Sequence, residues 1–204
     1  MIRFGVFLGG LFFSLGCAAQ GVLDYPVNSD AQRDRLESIA QAVRDSLPLG
    51  GDVRQEKHLS VLAEPIIGKG SFALSAEGTI DWQLHEPFAV RYKVNGEKIV
   101  RLVDGEQEVI TPSAEPSVYG FFRMFEQLFA LKPEQLYSVF TLYLAPAANN
   151  EWHMALVPQK APLADVVDRL LVTGSGGLIT QVTIAESDDD YTLLEFSYPD
   201  RETR

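Results

Sequence analysis

Two dipeptides, Asn95-Gly96 and Asp104-Gly105, sit within one stretch of alternating residues and restrict the chain more than any other feature. Phe88, Val90, Tyr92 and Val94 alternate with Ala89, Arg91 and Lys93, the period of a half-buried strand. Asn-Gly and Asp-Gly suit two-residue hairpin turns, whose central residues need positive φ. The expected register sets Val94 against Glu97, Tyr92 against Ile99 and Val90 against Arg101. The second turn sets Val103 against Glu106, Arg101 against Glu108 and Ile99 against Ile110. One face then holds Phe88, Val90, Tyr92, Val94, Ile99, Val103 and Ile110 around Arg101 and Glu108. The other mixes Ala89, Val100, Leu102 and Val109 with Arg91, Lys93, Lys98 and Gln107. Neither face is wholly polar, which predicts a curved sheet with a cavity on one side and a helix on the other.

The pattern around this meander supplies the remaining elements. Leu36, Ile39, Ala40, Val43 and Leu47 recur at helical spacing after cap candidates Asn28, Ser29 and Asp30, and Pro48 with Gly50-Gly51 ends the run. Further strands are predicted near residues 138–144, 151–157, 168–173, 178–185 and 191–198. The turns between them lie at Ala147-Ala148-Asn149-Asn150, Gly174-Ser175-Gly176-Gly177 and Asp188-Asp189-Asp190. Between the strand blocks, Ser117 to Leu131 reads as a helix with Val118, Phe121, Phe122, Phe125, Leu128 and Phe129 on one face. That face fits a plain core helix, and it equally fits a hydrophobic lid over an open barrel mouth. A further helical turn is predicted at Pro133-Glu134, where Pro suits the first helical position.

Composition narrows the function. Seventeen Lys and Arg against 28 Asp and Glu give a net charge of −11, which repels phosphate backbones, so nucleic acid is not an expected partner. His58, His85 and His153 lack metal-ligand spacing, no nucleophile elbow or phosphate loop occurs, and neither metal, cofactor nor catalytic residue is expected. Phe4 to Gly16 is an uncharged run behind Arg3, too short to span a bilayer and sized like a signal-peptide core. The expected division is a signal peptide over residues 1–19 and a single domain over 20–204, a monomer in the periplasm. Removing Arg3 and no acid takes the charge from −11 to −12. Alternatively Cys17, the only cysteine, accepts a lipid and makes the chain an outer-membrane lipoprotein.

Several segments resemble, in order, those of the LolA-like periplasmic lipoprotein carriers. They are Gly70-Ser71-Phe72-Ala73-Leu74, Gly78-Thr79-Ile80-Asp81-Trp82, Glu86-Pro87, Val94-Asn95-Gly96-Glu97-Lys98 and Glu151-Trp152-His153-Met154-Ala155-Leu156-Val157-Pro158. The resemblance runs from about Gln55 to Phe196. It implies a mainly β (α+β) fold, an incomplete antiparallel β-barrel with an N-terminal helix and a mid-chain helical lid. It also implies a carrier that takes acyl chains of lipoproteins, or another lipid, from an inner-membrane transporter to an outer-membrane receptor. An acylated receptor of the same fold and a carrier of glycolipid or polyene lipid are the alternatives. The carriers often have Arg before the Trp, linked to lid closure, where this chain has Asp81. The expected lipid contacts are Trp82, Phe88, Val90, Tyr92, Arg101, Phe121, Phe122, Phe125, Leu128, Phe129 and Trp152. Arg101 is either half of a cross-strand ion pair with Glu108 or a polar anchor for a headgroup or lid carbonyl.

Overall fold

In the computed structural model the described residues are 21–147, 150–161, 163–186 and 189–199. The expected signal segment 1–19, with Cys17, lies outside them, as do Ala148, Asn149 and Asp188 of the expected turns.

Strong turn signals and alternating runs produce two antiparallel meanders. The first comprises β1 (Leu49–His58), β2 (Ile66–Leu74), β3 (Ile80–Glu86), β4 (Val90–Asn95), β5 (Lys98–Val103) and β6 (Glu106–Ile110). The second comprises β7 (Phe140–Ala145), β8 (Glu151–Pro158), β9 (Val167–Ser175), β10 (Leu178–Glu186) and β11 (Tyr191–Ser197). Strands β1 and β11 pair antiparallel, so both meanders join one eleven-stranded sheet in the order β6-β5-β4-β3-β2-β1-β11-β10-β9-β8-β7. The barrel is incomplete, because β6 and β7 remain edges. Tyr25–Val27 cover β7, with Val27 N–H donating to Leu142 O at 2.9 Å and Leu144 N–H to Tyr25 O at 2.9 Å. Edge β6 carries Glu106, Gln107 and Glu108, charged and polar groups of the kind that discourage further strand pairing.

Three helices accompany the sheet: α1 (Asp30–Asp45), α2 (Pro116–Ala130) and α3 (Pro133–Val139). Helix α1 starts with a capping box. Ser29 accepts from the Gln32 N–H, and the Gln32 side chain accepts from the Ser29 N–H. Its stripe Leu36, Ile39, Ala40 and Val43 is buried on the concave face of the sheet. Arg35 donates to Ala145 O at 2.9 Å and the Ser46 hydroxyl to Gly177 O at 2.9 Å, which fixes α1 over the second meander. Helix α2 buries Phe122, Met124, Phe125, Leu128 and Phe129 over the first meander.

Three expectations need correction. The first hairpin pairs Val94 with Ile99 and Tyr92 with Arg101, two residues away from the expected register. Asn95 stays in the strand opposite Lys98, and Gly96 takes the first turn position alone at φ +56°, the Gly-first form of hairpin turn. The shift is even, so each residue keeps its face. The second hairpin has the expected register, with Asp104 and Gly105 at φ 51° and 85°. Second, Phe88 precedes β4 and is 80% exposed, and Val103 is also exposed, so neither belongs to the buried face. Third, both long helices lie on the concave face. The convex face has too few apolar residues to retain a cover: Val100 and Leu102 are half-buried and Val109 exposed, among charged Arg91 and Lys93.

Trp152 shows how tightly the second meander is built. Its ring lies on Gly174 of the neighbouring strand, and its indole N–H donates to Gly176 O at 3.0 Å. A Cβ at Gly174 would strike that ring and the Leu178 carbonyl. Gly174→Ala is therefore expected to cost ~1–3 kcal/mol through overpacking, read as a lower urea midpoint by tryptophan fluorescence.

Candidate functional site

Strand alternation delivers one inward side chain every second residue, and on three neighbouring strands those are Phe72, Trp82 and Tyr92, in register. Helix α2 lays its phenylalanine stripe across them. Trp82 meets Phe121, Phe122 and Phe125 edge-on at centroid distances of 5.6, 6.4 and 5.0 Å. Tyr92 lies 4.9 Å from Phe122, and Phe125 lies 4.6 Å from Phe129. Edge-to-face aromatic pairs add ~0.5–1.5 kcal/mol each beyond the area they bury. Phe196 from β11 completes the cluster against Phe72, Trp82, Phe125 and Phe129. Phe72 and Phe196 were not among the expected contacts. Their signal was the alternation of Phe72 with Leu74 and of Leu194 with Phe196.

Of the expected contacts, Trp82, Tyr92, Phe121, Phe122, Phe125, Leu128 and Phe129 come together here. Val90, opposite Leu84, is half-buried toward one end of the same face. Phe88 is in solvent, and Trp152 lies on Gly174 over the other meander. The expected cavity is filled, because Trp82, Phe122, Phe125 and Leu128 are at most 2% exposed and occupy the space beneath the helix.

Polar contacts fasten α2 along its length. At its start, Glu115 occupies the N-cap without capping, its carboxylate instead accepting from Arg101 at 2.9 Å. Arg101 also pairs with Glu108 across the strands, the ion pair that the register predicts. The Glu108 hydrogen bond chiefly raises the Arg101 pKa above its ordinary value against the opposing effect of burial, with Tyr92 and Glu115 assisting. Midway, Arg123 donates to Gly96 O in the β4–β5 turn at 2.8 Å. At the end, Leu131 adopts φ +32° and its carbonyl accepts from Arg44 of α1 at 2.8 Å; Arg44 is itself held by Glu37 and Gln41.

Asp81 takes no part in this fastening. It precedes the inward Trp82, so it points to the convex face, where it accepts from Arg91 Nε at 2.7 Å and raises the Arg91 pKa. Any side chain at position 81 would face away from α2.

Beside the Arg44–Leu131 contact a cleft of about 310 Å³ opens between the ends of α1 and α2 and the β2–β3 turn. Leu47, Leu74, Ile80, Phe129 and Ala130 give it an apolar lining, with Arg44, Glu77, Glu126 and Lys132 among its polar members. Among the described residues no three His, Cys, Asp or Glu side chains are grouped to hold a metal. His58 stacks on Tyr191 at 4.2 Å and hydrogen-bonds Glu56 at 2.9 Å.

The layout is an open antiparallel barrel with a helix from before the sheet and a helical segment from its middle, both on the concave side, as the resemblance in the sequence implies. No protein-family model and no curated protein matches the chain. Among solved structures, a LolA superfamily protein from Nitrosomonas europaea is 7% identical, covering 81% of this chain and 90% of that one, with a TM-score of 0.45. The Mycobacterium tuberculosis lipoprotein LppX is 12% identical, with 83% and 95% covered and a TM-score of 0.41. The MucA/MucB complex of Pseudomonas aeruginosa gives 16% identity over 83% of this chain and 56% of the matched chain, with a TM-score of 0.40. Likenesses at this level carry nothing about function.

Because Arg44 ties α2 to α1 rather than to the sheet, its removal has a local signature. Arg44→Gln is expected to speed amide hydrogen exchange in α2 about tenfold, the equivalent of one charged hydrogen bond, while exchange in β8–β10 is unchanged.

Proposed function

We propose that this protein is a reversible carrier of acyl chains, with α2 as its lid. A single observation carries the reading: the concave face of the first meander is covered by one phenylalanine-rich helix fastened to its surroundings through three arginines. Magnitudes favour exchange over permanent closure. Burying Phe122, Phe125 and Phe129 fully and Phe121 in part stabilises the closed form by roughly 5–10 kcal/mol. An acyl chain of about 12–16 methylenes gains roughly 10–13 kcal/mol at ~0.8 per CH₂ when buried in the same space. The two terms nearly offset each other, so a ligand can displace the helix and later be displaced by it. The arginine contacts, ~1.5–3 kcal/mol each, then set how readily the empty protein opens.

The ligands of this reading are the acyl chains of lipoproteins, or another lipid, carried through the periplasm from an inner-membrane transporter to an outer-membrane receptor. Contacts would come from Trp82, Tyr92, Phe121, Phe122, Phe125, Leu128 and Phe129, with Phe72 and Phe196 added. The cleft beside Phe129 and Ala130 is the natural port, since apolar side chains line it where the helix ends. Chemistry on the ligand is not part of the function. An acylated Cys17 would instead make the protein a membrane-held receptor, which the N-terminal mass from its own host decides.

A fluorescent long-chain fatty acid should saturate the protein near one site without turnover of ester substrates. Arg44→Gln should bind it about tenfold more tightly, because a larger open fraction lowers the apparent Kd in proportion. Absence of binding, or release of product from esters, removes the carrier reading. Ala130→Trp, which fills the port, should slow association at least tenfold while leaving the unfolding midpoint near that of the parent.

A further inference from the structure

Hairpin tips normally carry Gly, Asn, Asp and other polar residues, and one end of this sheet does. Its turns present Ala76-Glu77-Gly78, Gly96-Glu97 and Gly176-Gly177. The opposite end has Asp104-Gly105 of this kind but carries large apolar side chains as well. Six of the eight large apolar side chains exposed among the described residues lie there: Val61, Leu62, Ile66, Phe88, Val103 and Val166. Strand pairing requires this shared location. His58 pairs with Tyr191, Lys57 with Ile66, Leu84 with Val90, Val103 with Glu106 and Glu186 with Val167, so the connections at 59–65, 87–89, 104–105 and 159–166 all leave from one rim. Val61 and Phe88 are 86% and 80% exposed, and Val166 is 58% exposed. None supports the core.

We propose that this rim is a docking edge for a lipid bilayer, inserted shallowly at the headgroup boundary. The distribution selects the occupant. A protein partner reads a clustered set of anchors in one fitted pocket. Here the six apolar side chains are spread over four separate connections between β5 and β9, seven strands apart along the sheet. At ~4.8 Å per strand the rim is about 35 Å long, which suits a continuous soft surface. Charge selects the lipid. Glu64, Asp104, Glu106, Asp165, Asp189 and Asp190 stand among the tips and outnumber Lys160 there, while Lys57 and Lys69 are paired to Glu186 and Glu86. Anionic headgroups would be repelled, so the surface is zwitterionic and the attraction is apolar. The proposal does not require acyl binding in the concave face, and each can fail alone.

The test is co-sedimentation of the purified protein with phosphatidylcholine vesicles and with mixed phosphatidylcholine–phosphatidylglycerol vesicles, at low and high salt. The parent should partition onto phosphatidylcholine independently of salt and no better onto the mixed vesicles. Val61→Asp/Phe88→Asp should reduce partitioning at least tenfold, with its unfolding midpoint unchanged because both side chains are exposed. Glu97→Ser, at the other end, should match the parent. The proposal is overturned if the parent stays in the supernatant or the double variant partitions like the parent. It is equally overturned if binding needs anionic lipid, or is seen only on vesicles that also contain membrane proteins. Fatty-acid titration without vesicles reports separately on the carrier reading.

Discussion

The packing of α2 against Trp82 is the contact on which the rest of the arrangement depends. An open sheet of eleven strands leaves its concave face to be covered, and α1 is anchored over the second meander by Arg35 and Ser46. The first meander presents Phe72, Trp82 and Tyr92 from adjacent strands, a surface that water hydrates poorly. The stripe of α2 covers it at near-zero exposure, and Phe196 from β11 links this cover to the centre of the sheet. The sheet tolerates open edges because its curvature around the helices supplies the core that full closure would otherwise provide.

The contacts that hold α2 differ in kind, and the difference suits an exchangeable cover. The apolar contacts are large and non-directional, so another apolar body of similar volume can replace them. The arginine contacts are directional, and each draws on a different neighbour: Arg101 on β5, the Gly96 carbonyl in the β4–β5 turn and Arg44 on α1. Packing therefore supplies most of the closing energy, while the arginines specify where the helix rests. A carboxylate at position 81 does not disturb this, because the pleat turns it to the convex face beside Arg91.

The two rims of the sheet divide the surface further. One end has turns chosen for backbone geometry, with Gly78, Gly96 and Gly176 at the positive φ they require. The rim with Val61, Phe88 and Val166 departs from that economy. The port beside Ala130 lies toward the opposite end, next to the β2–β3 turn. The proposed port and the proposed docking rim are thus separated along the strand direction.

Periodicity and turn chemistry determined much of the architecture without the structure. The Leu36-to-Val43 stripe, the phenylalanine face of residues 117–131, the late strands and the Asp104-Gly105 register are all local signals, because they depend on residues a few positions apart. The buried face of α2 was legible for the same reason, and Trp82 through the family resemblance. The first hairpin was misread by two residues because Asn-Gly serves two turn geometries, and only pairing across the strands chose between them. Phe88 looked like a strand residue because its alternation continued past Pro87, whereas the ladder ends at Val90. Trp152 shared a residue type with Trp82 and nothing else. What only the tertiary structure decided was which elements share a face: that both helices lie on the concave side, that Phe72 and Phe196 meet across the β1–β11 junction, and that Arg44, Arg101 and Arg123 converge on one helix. Those contacts join residues from 14 to 110 or more positions apart, as with Arg101 and Glu115, or Arg35 and Ala145. Sequence spacing is blind to them, because the sheet's pairing order, set by many small burial terms at once, brings the partners together.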